Sequence, residues 1–547
     1  MPAGRLALAA ATAVVMLGLG FNLAGYPLLD PDEGRNAEVA REMAQSNDYV
    51  LPRLNTLPYI DKPVLYFAAG ALAIKALGPT PLAARLPSLL FTVATLVVVG
   101  GLGRRMFGDE AGWTATLIAG ASPLTLGFAR TVIMDSALTF FVTLSVAGYC
   151  LAAEKDDRSE WWSATAWGAM GLGVLTKGPI ALALPLMVAV PYVAWRRAWK
   201  ALLDPVGILL FLALILPWVR AVSLRVPEYF RYVLVTETFQ RLTTPALQRT
   251  GPWWYFPPIL LLGTLPWGFL AAARIRRPAA PPDRRIVFLL LWVFVPLLFF
   301  SLSQSKRPQY MLPLVPAVAL LAAALWTRRG VRAAAAALAI LGAALLASSA
   351  RLPLLFRNMT PEIAAAVPGA AIPLAIICIA AGAAAFFARG SRAAALLALC
   401  VPCASIPFVS QRLMREIGNQ RSAAALAQAI APTMLDATEI VGIHAYPPSL
   451  PFYLHRTTIL ASDDAREMTS NYILRTAKVW ADAPGTPLRP AEWWRDAAVN
   501  CERPRVFVVA LADREALLFL GERLPLIAQA AKYAAFGPCG GHNLAAR

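Results

Sequence analysis

Three groups of residues in this chain have the types and placement to do chemistry on a charged substrate. The first is the run Leu29-Asp30-Pro31-Asp32-Glu33-Gly34-Arg35. It reads as a helix start, with Asp30 as N-cap, Pro31 at the first helical position and Glu33 closing a capping box. That geometry leaves Asp32 projecting from a fixed turn, where a carboxylate can bind a cation or accept a proton. The second is Asp135, in Arg130-Thr131-Val132-Ile133-Met134-Asp135-Ser136. An ionisable residue at the end of an apolar segment is costly unless paired or near water. Two readings stand: a functional carboxylate, or an ion pair with Arg130. The third group is basic: Lys62 in Tyr59-Ile60-Asp61-Lys62-Pro63, Arg85, Lys177 in Leu175-Thr176-Lys177-Gly178-Pro179, Arg241, Arg249, and Lys306-Arg307. Lysine and arginine make charge-assisted contacts to phosphate oxygens; lipid headgroups are the plainer alternative.

These residues need elements to hold them, and composition says what kind. The chain is 58% hydrophobic and 15% charged over 547 residues, against about a quarter charged in a soluble protein. Its apolar residues fall in blocks of roughly 20, enough to cross a bilayer core. Thirteen spans are expected, near 6–28, 81–103, 112–128, 132–152, 161–176, 178–195, 202–222, 253–273, 286–303, 309–327, 331–349, 371–388 and 393–409. The first is too long for the apolar region of a removable signal and is expected to stay in place.

Short basic connections hold Arg104-Arg105, Arg196-Arg197 with Lys200, Arg274 to Arg285, Arg328-Arg329 with Arg332, and Arg389 with Arg392. The positive-inside rule puts them in the cytoplasm; the acidic 154–160 loop is the exception. The N-terminus is then cytoplasmic, and the loops 29–80, 223–252 and 350–370 face outward with everything after 410. All three chemical groups share that outward face. The net charge of +18 is scattered between spans, which argues against nucleic-acid binding.

Residues 33–46 form an amphipathic pattern, apolar at Ala37, Val39, Ala40, Met43 and Ala44 and charged at Arg35, Glu38, Arg41 and Glu42. Such a helix is expected in the membrane interface, and residues 63–77 are expected to be interfacial or re-entrant. Two domains follow: 1–410, a transmembrane catalytic domain, and 411–547, a soluble α/β domain. In the latter, 441–446 and 505–511 read as buried strands and 514–524 as a helix. Cys150, Cys378, Cys400 and Cys403 sit in apolar runs as packing residues. Cys501 and Cys539 are free to form a disulfide if their domain lies in an oxidising compartment. Trp161-Trp162 and Trp253-Trp254-Tyr255-Phe256 read as interface belts. The histidines, His444, His455 and His542, show no metal-ligand spacing.

A transferase on the outer face has no nucleotide donor, so a polyprenyl-phosphate sugar is the donor that location calls for. Its phosphate leaving group needs cations as charge develops. The stretches LDPDEGRNAEVAREM, YIDKP, ARTVIMDS, GVLTKGP, TETFQR and SQSKRPQYMLP, followed by a C-terminal outer domain, cover nearly the whole chain. Together they resemble the aminoarabinose transferases of Gram-negative bacteria, within the polyprenyl-phosphate glycosyltransferases of GT-C fold that include the protein O-mannosyltransferases.

The resemblance implies a membrane all-α GT-C fold with about 13 transmembrane helices, interfacial periplasmic helices and a C-terminal α/β domain. It implies transfer of 4-amino-4-deoxy-L-arabinose from undecaprenyl phosphate to a lipid A phosphate in the bacterial inner membrane, which confers polymyxin resistance. Asp32, Asp135 and Glu33 become catalytic candidates. Lys62, Arg241, Lys306, Tyr310, Arg35 and Lys177 become candidates for the donor phosphate, with Asp61 and Arg249 as further ones. Asp61 stands where some relatives have Glu. Some GT-C enzymes need a divalent metal; no ligand set is visible in this sequence. A monomer among membrane lipids is expected. Two alternatives remain: a relative with another sugar or acceptor, of the O-mannosyltransferase kind, or a lipid-linked-sugar transporter, against which stands the lack of a visible repeat.

Overall fold

The computed structural model describes residues 2–154, 159–240, 250–270, 283–355, 360–388 and 391–539. Arg241 and Arg249 lie outside them. The chain divides into two compact units: a membrane unit, Met1–Leu23 with Arg85–Leu413, and a mixed unit, Ala24–Ala84 with Met414–Arg547. The loop 29–80, assigned by sequence to the catalytic membrane domain, folds with the C-terminal residues.

In the membrane unit, helices of about 20 apolar residues form because main-chain groups in lipid must be satisfied within the segment. Among the described residues seven helices have the length and composition to cross a bilayer: Pro81–Phe107, Asp135–Ala152, Trp199–Arg225, Arg284–Leu302, Arg328–Ser348, Pro361–Phe386 and Arg392–Val409. Leu209, Leu298 and Ile340 on three of them are 65%, 61% and 68% exposed. Apolar surface on that scale is sustained by lipid, and the protein is a multi-pass membrane protein. Other expected spans are shorter or interrupted helices, such as Gly4–Gly20 and Ile180–Arg196. The 112–128 span breaks into Asp109–Gly120 and Pro123–Ala129, because the residue before a proline resists the helical conformation. The 309–327 span opens as a tight 3-10 segment, Pro308–Leu314, before the α-helix Val315–Ala324.

The mixed unit contains a short hairpin, β1 (Arg53–Leu54) and β2 (Leu57–Pro58), and a six-stranded sheet. The sheet strands are β3 (Glu439–Ile443), β4 (Thr458–Ala461), β5 (Leu488–Arg489), β6 (Arg505–Ala510), β7 (Leu526–Ala530) and β8 (Tyr533–Cys539), in the order β5-β4-β3-β6-β8-β7. The β5-β4-β3-β6 part is parallel and β8 runs antiparallel to β6 and β7. The strands read from sequence are β3 and β6, and the helix Arg514–Gly521 follows β6. Cys501 and Cys539 form a disulfide with Cα atoms 5.9 Å apart. The other four cysteines are buried and free.

The helix Asp32–Ser46 buries part of its charged face. Glu38 is 0% and Arg41 6% exposed, and Arg41 forks onto Glu38 through two hydrogen bonds of 2.7 Å. The two charges, three residues apart, neutralise each other and allow the polar face to be buried.

Candidate active site

In the membrane unit the candidate residues sit at helix ends. Helices Asp135–Ala152 and Ser159–Lys177 are consecutive and pack side by side. The first residue of one therefore meets the last of the other. Lys177 Nζ donates to Asp135 Oδ1. Each charge also suits its place, an anion at a helix N-terminus and a cation at a C-terminus. Asp135 is 1% exposed, and its second oxygen, Oδ2, is buried with no hydrogen-bond donor among the described residues. The sequence reading of an Arg130–Asp135 pair is replaced: Arg130 donates to the carbonyls of Gly18 and Leu19 at 3.3 and 3.1 Å.

Lys177 continues the cluster. Its Nζ lies 5.7 Å from the Tyr310 ring centroid, within cation–π range. The Tyr310 hydroxyl is 3.2 Å from Ser305 Oγ, and the ring stacks 5.0 Å from Phe300. Lys306, 8% exposed, donates to the carbonyls of Phe300 and Ser301 at 3.1 and 2.7 Å. It covers the carbonyl end of the helix Arg284–Leu302, and burial pushes its ammonium below the usual lysine range. Asp135, Lys177 and Tyr310 are thus brought together within one unit, with Lys306 on the same aromatic wall.

In the mixed unit the Asp30–Arg35 turn differs from the expected capping box. The helix begins at Asp32 after Pro31, with no side-chain cap. The Asp30 carboxylate instead accepts Ser449 Oγ at 2.7 Å. Asp30 is further tied by its N–H to the Arg421 carbonyl, 2.7 Å, and by its own carbonyl to the Arg421 guanidinium, 3.0 Å. Glu33, 2% exposed, reaches back to accept the Leu29 N–H at 2.9 Å. That contact holds the turn. Asp32 pairs with Arg35 at 2.5 Å while its side chain stays 39% exposed. Arg35 also donates to the Thr469 carbonyl and hydroxyl at 3.0 and 2.7 Å. Asp32 is therefore held in place yet reachable, as the sequence expected of it.

The carboxylate of Asp61 is committed elsewhere. Its two oxygens accept the N–H groups of Asn471 and Tyr472, both at 3.0 Å, at the N-terminus of the helix Asn471–Ala481. It clamps the 59–63 loop to that helix and leaves Lys62, which donates to the Asp61 carbonyl. Asp61→Ala is expected to lower stability by about 1–2 kcal/mol, the scale of a lost helix cap. Thermal melts and transfer rates together check this: a collapse of rate without loss of stability would assign Asp61 a chemical role.

The contact between Asp30 and Ser449 was not visible in the sequence. Burial pushes the Asp30 carboxyl from 3.8 up to about 7, opposed by the Ser449 hydrogen bonds. The native state therefore holds a proton that the unfolded chain releases near pH 4. Stability from this group is complete below about pH 4 and is lost as pH rises through 7. Burial pushes Glu42 the same way, to about 8. Melting temperature is expected to fall from pH 5 to pH 8, and Asp30→Asn to flatten that fall. An identical pH slope in the variant would refute the assignment.

Among the described residues no three His, Cys, Asp or Glu side chains group as metal ligands. No step below uses a divalent ion.

Residues 61–220 match the family described as dolichyl-phosphate-mannose-protein mannosyltransferase, a stretch that includes Lys62, Asp135 and Lys177. The chain is 34% identical over 311 residues to an undecaprenyl phosphate-alpha-4-amino-4-deoxy-L-arabinose arabinosyl transferase of Edwardsiella ictaluri, covering 55% of this chain and 56% of that protein. A protein of the same name from Pseudomonas aeruginosa is 34% identical over 307 residues, covering 55% and 56%. The chain thus spans about half the length of the curated relatives it matches. In structure it is similar to ArnT from Cupriavidus metallidurans bound to undecaprenyl phosphate, with TM-score 0.85 and 26% identity over 98% of both chains. The apo state of that protein gives 0.81 and 26% over 97% of both. The fold is GT-C. Within the GT-C fold the resemblance to aminoarabinose transferases holds in sequence and in architecture, and Lys177 and Asp135 sit at the ends of two of its helices.

Proposed function

We propose that this chain transfers 4-amino-4-deoxy-L-arabinose from undecaprenyl phosphate to a phosphate of lipid A. The observation that carries the reading is the likeness, over 98% of both chains, to a transferase solved with undecaprenyl phosphate. An acceptor phosphate oxygen attacks the sugar C1, and the bond from C1 to the donor phosphate oxygen breaks with its electron pair. Undecaprenyl phosphate leaves with that added charge. Lys177, Lys306, Tyr310, Lys62, Arg35 and Arg241 are the groups we assign to the donor phosphate. A phosphomonoester with a second pKa of about 6 is already ionised at neutral pH, so the acceptor needs no general base. We assign Asp32 to the ammonium of the amino sugar and Asp135 to holding Lys177.

The disulfide in the mixed unit supports an oxidising, periplasmic location for it. The Arg-rich short connections support a cytoplasmic N-terminus in the inner membrane. The match at residues 61–220 favours a second reading, transfer of mannose to a protein hydroxyl.

The deciding experiment offers purified protein in detergent undecaprenyl-phosphate aminoarabinose or undecaprenyl-phosphate mannose, with lipid A or a serine-rich peptide, and follows products by mass spectrometry. Aminoarabinosyl lipid A is the expected product, and Asp32→Asn is expected to lose most of it. Mannosyl peptide alone would replace the first reading with the second. Full activity of Asp32→Asn would remove Asp32 from the mechanism.

A further inference from the structure

A cleft of about 560 Å³ lies within the mixed unit, its lining including Gln45, Ser46, Arg53, Thr438, Arg456 and Thr457. Its volume falls inside the range of about 300–1,000 Å³ typical of small-molecule sites. None of these residues is used by the transfer reaction above.

The charges in the cleft do not cancel. Glu42 is spent on the hairpin, its oxygens accepting the N–H groups of Asn55 and Thr56 at 2.5 and 2.9 Å, and burial raises its carboxyl to about 8, which leaves it mostly neutral at pH 7. Glu439 is held between Arg503 and Arg505 at 3.0 and 2.8 Å. Arg41 is neutralised by Glu38. Arg53 has no carboxylate within ion-pair distance among the described residues; its guanidinium donates to the Thr56 carbonyl at 3.0 Å. Arg456 meets the fully exposed Asp436 carboxylate at 3.7 Å and donates to the Asp436 carbonyl at 2.7 Å. His455 is kept below its usual pKa by burial and by Arg41, so its imidazole is a neutral donor and acceptor. The Arg53 and Arg456 guanidiniums thus line the cleft together with hydroxyls and an amide.

The backbone around the cleft is also held in an uncommon state. Thr56 has φ 68° and His455 has φ 56°, the left-handed region that a β-branched residue such as Thr rarely enters. Such conformations persist where surrounding contacts over-determine them, and they cluster at ligand clamps. The contacts are present: besides the Glu42 and Arg53 bonds, the buried Asn55 side chain donates to the Thr458 carbonyl at 2.7 Å and accepts its N–H at 2.8 Å. The hairpin tip is pinned to β4 with Thr56 and Arg53 facing the cleft.

We propose that this cleft binds a phosphorylated sugar, with Arg53 and Arg456 taking the phosphate and Gln45, Ser46, Thr438 and Thr457 taking the sugar hydroxyls. Planar guanidiniums suit phosphate oxygens, and hydroxyl and amide side chains both donate and accept, as a polyol requires. The same headgroup chemistry is carried by a free sugar phosphate and by a phosphorylated glycolipid. The inference stands apart from the transfer reaction and does not depend on it.

The test is calorimetric titration of the full-length protein in detergent with glucosamine 1-phosphate, inorganic phosphate and glucosamine. Glucosamine 1-phosphate is expected to bind saturably and more tightly than either fragment. Arg53→Gln with Arg456→Gln is expected to weaken it by about tenfold or more, while Arg523→Gln, outside the cleft, leaves it unchanged. If the double glutamine variant melts early, Arg53→Lys with Arg456→Lys replaces it, and binding weaker than wild type but still saturable is expected. Competition by micellar monophosphoryl lipid A identifies a lipid headgroup as the occupant; its absence identifies a soluble sugar phosphate. No saturable binding of glucosamine 1-phosphate, or equal binding by the glutamine variant, overturns the proposal.

Discussion

Lys177→Met is expected to cost about 3–5 kcal/mol of stability, the scale of breaking a buried ion pair by removing one partner, and to lower transfer about 10²–10³-fold. Asp135 is 1% exposed and its Oδ2 already lacks a donor among the described residues, so removing Lys177 strands its charge. Replacing both members, Lys177→Met with Asp135→Asn, removes the orphaned charge. Most of the stability should return, because a neutral pair of similar volume replaces a buried ionic one. Activity should not return, because the cation beside Tyr310 is gone. The two readouts separate the roles: melting temperature follows the charge balance, and transfer rate follows the lysine. A double variant with wild-type activity would leave the pair a structural device. A single variant with wild-type melting would show that the pair contributes nothing to folding. Because the two residues touch, their effects are not additive, and the coupling between them is the quantity to measure.

Asp135 was legible in the sequence because an ionisable residue at the end of an apolar segment demands a partner. Its partner was not. Arg130 is five positions away, whereas Lys177 is 42 positions away and is delivered by the packing of two helix ends. Periodicity gives the helices but not which ends meet. The burial of Glu38 and Arg41 was hidden for a related reason. A charged face reads as solvated unless its members neutralise each other, and the spacing of three residues was the signal available. Strands β3 and β6 were visible because parallel strands buried on both faces are continuous apolar runs. Strand β5 has two residues, too few to carry a period, and β7 and β8 are alanine-rich without alternation. Asp61 stands out only through the family resemblance, which places a carboxylate before Lys62. Its use as a helix clamp depends on a helix more than 400 residues further along the chain.

Gly34→Ala should be among the most damaging single-methyl changes in the molecule. In an ordinary helix interior the substitution gains up to about 1 kcal/mol from backbone entropy, and Gly34 lies in the helix Asp32–Ser46. Here a Cβ would stand 2.1 Å from Asp30 Oδ1, 2.6 Å from the Ser449 backbone nitrogen and 2.8 Å from Ser449 Cβ. Asp30 cannot swing aside, since its N–H and carbonyl are both held by Arg421 and its carboxylate by Ser449. Overpacking of this kind costs about 1–3 kcal/mol or more, and the collision with a backbone atom puts the cost at the upper end, above the entropy gain. The turn that presents Asp32 must then shift, and a displacement of about 1 Å near reacting groups can lower a rate about 10²-fold. Both melting temperature and transfer should fall. Trimming the neighbour tests the cause: Gly34→Ala with Ser449→Gly removes the Cβ contact and the hydroxyl that holds Asp30 but keeps the nitrogen at 2.6 Å, so recovery should be partial at most. A single variant as stable and active as wild type would show that the turn yields, and that the close approach of these chains does not position Asp32.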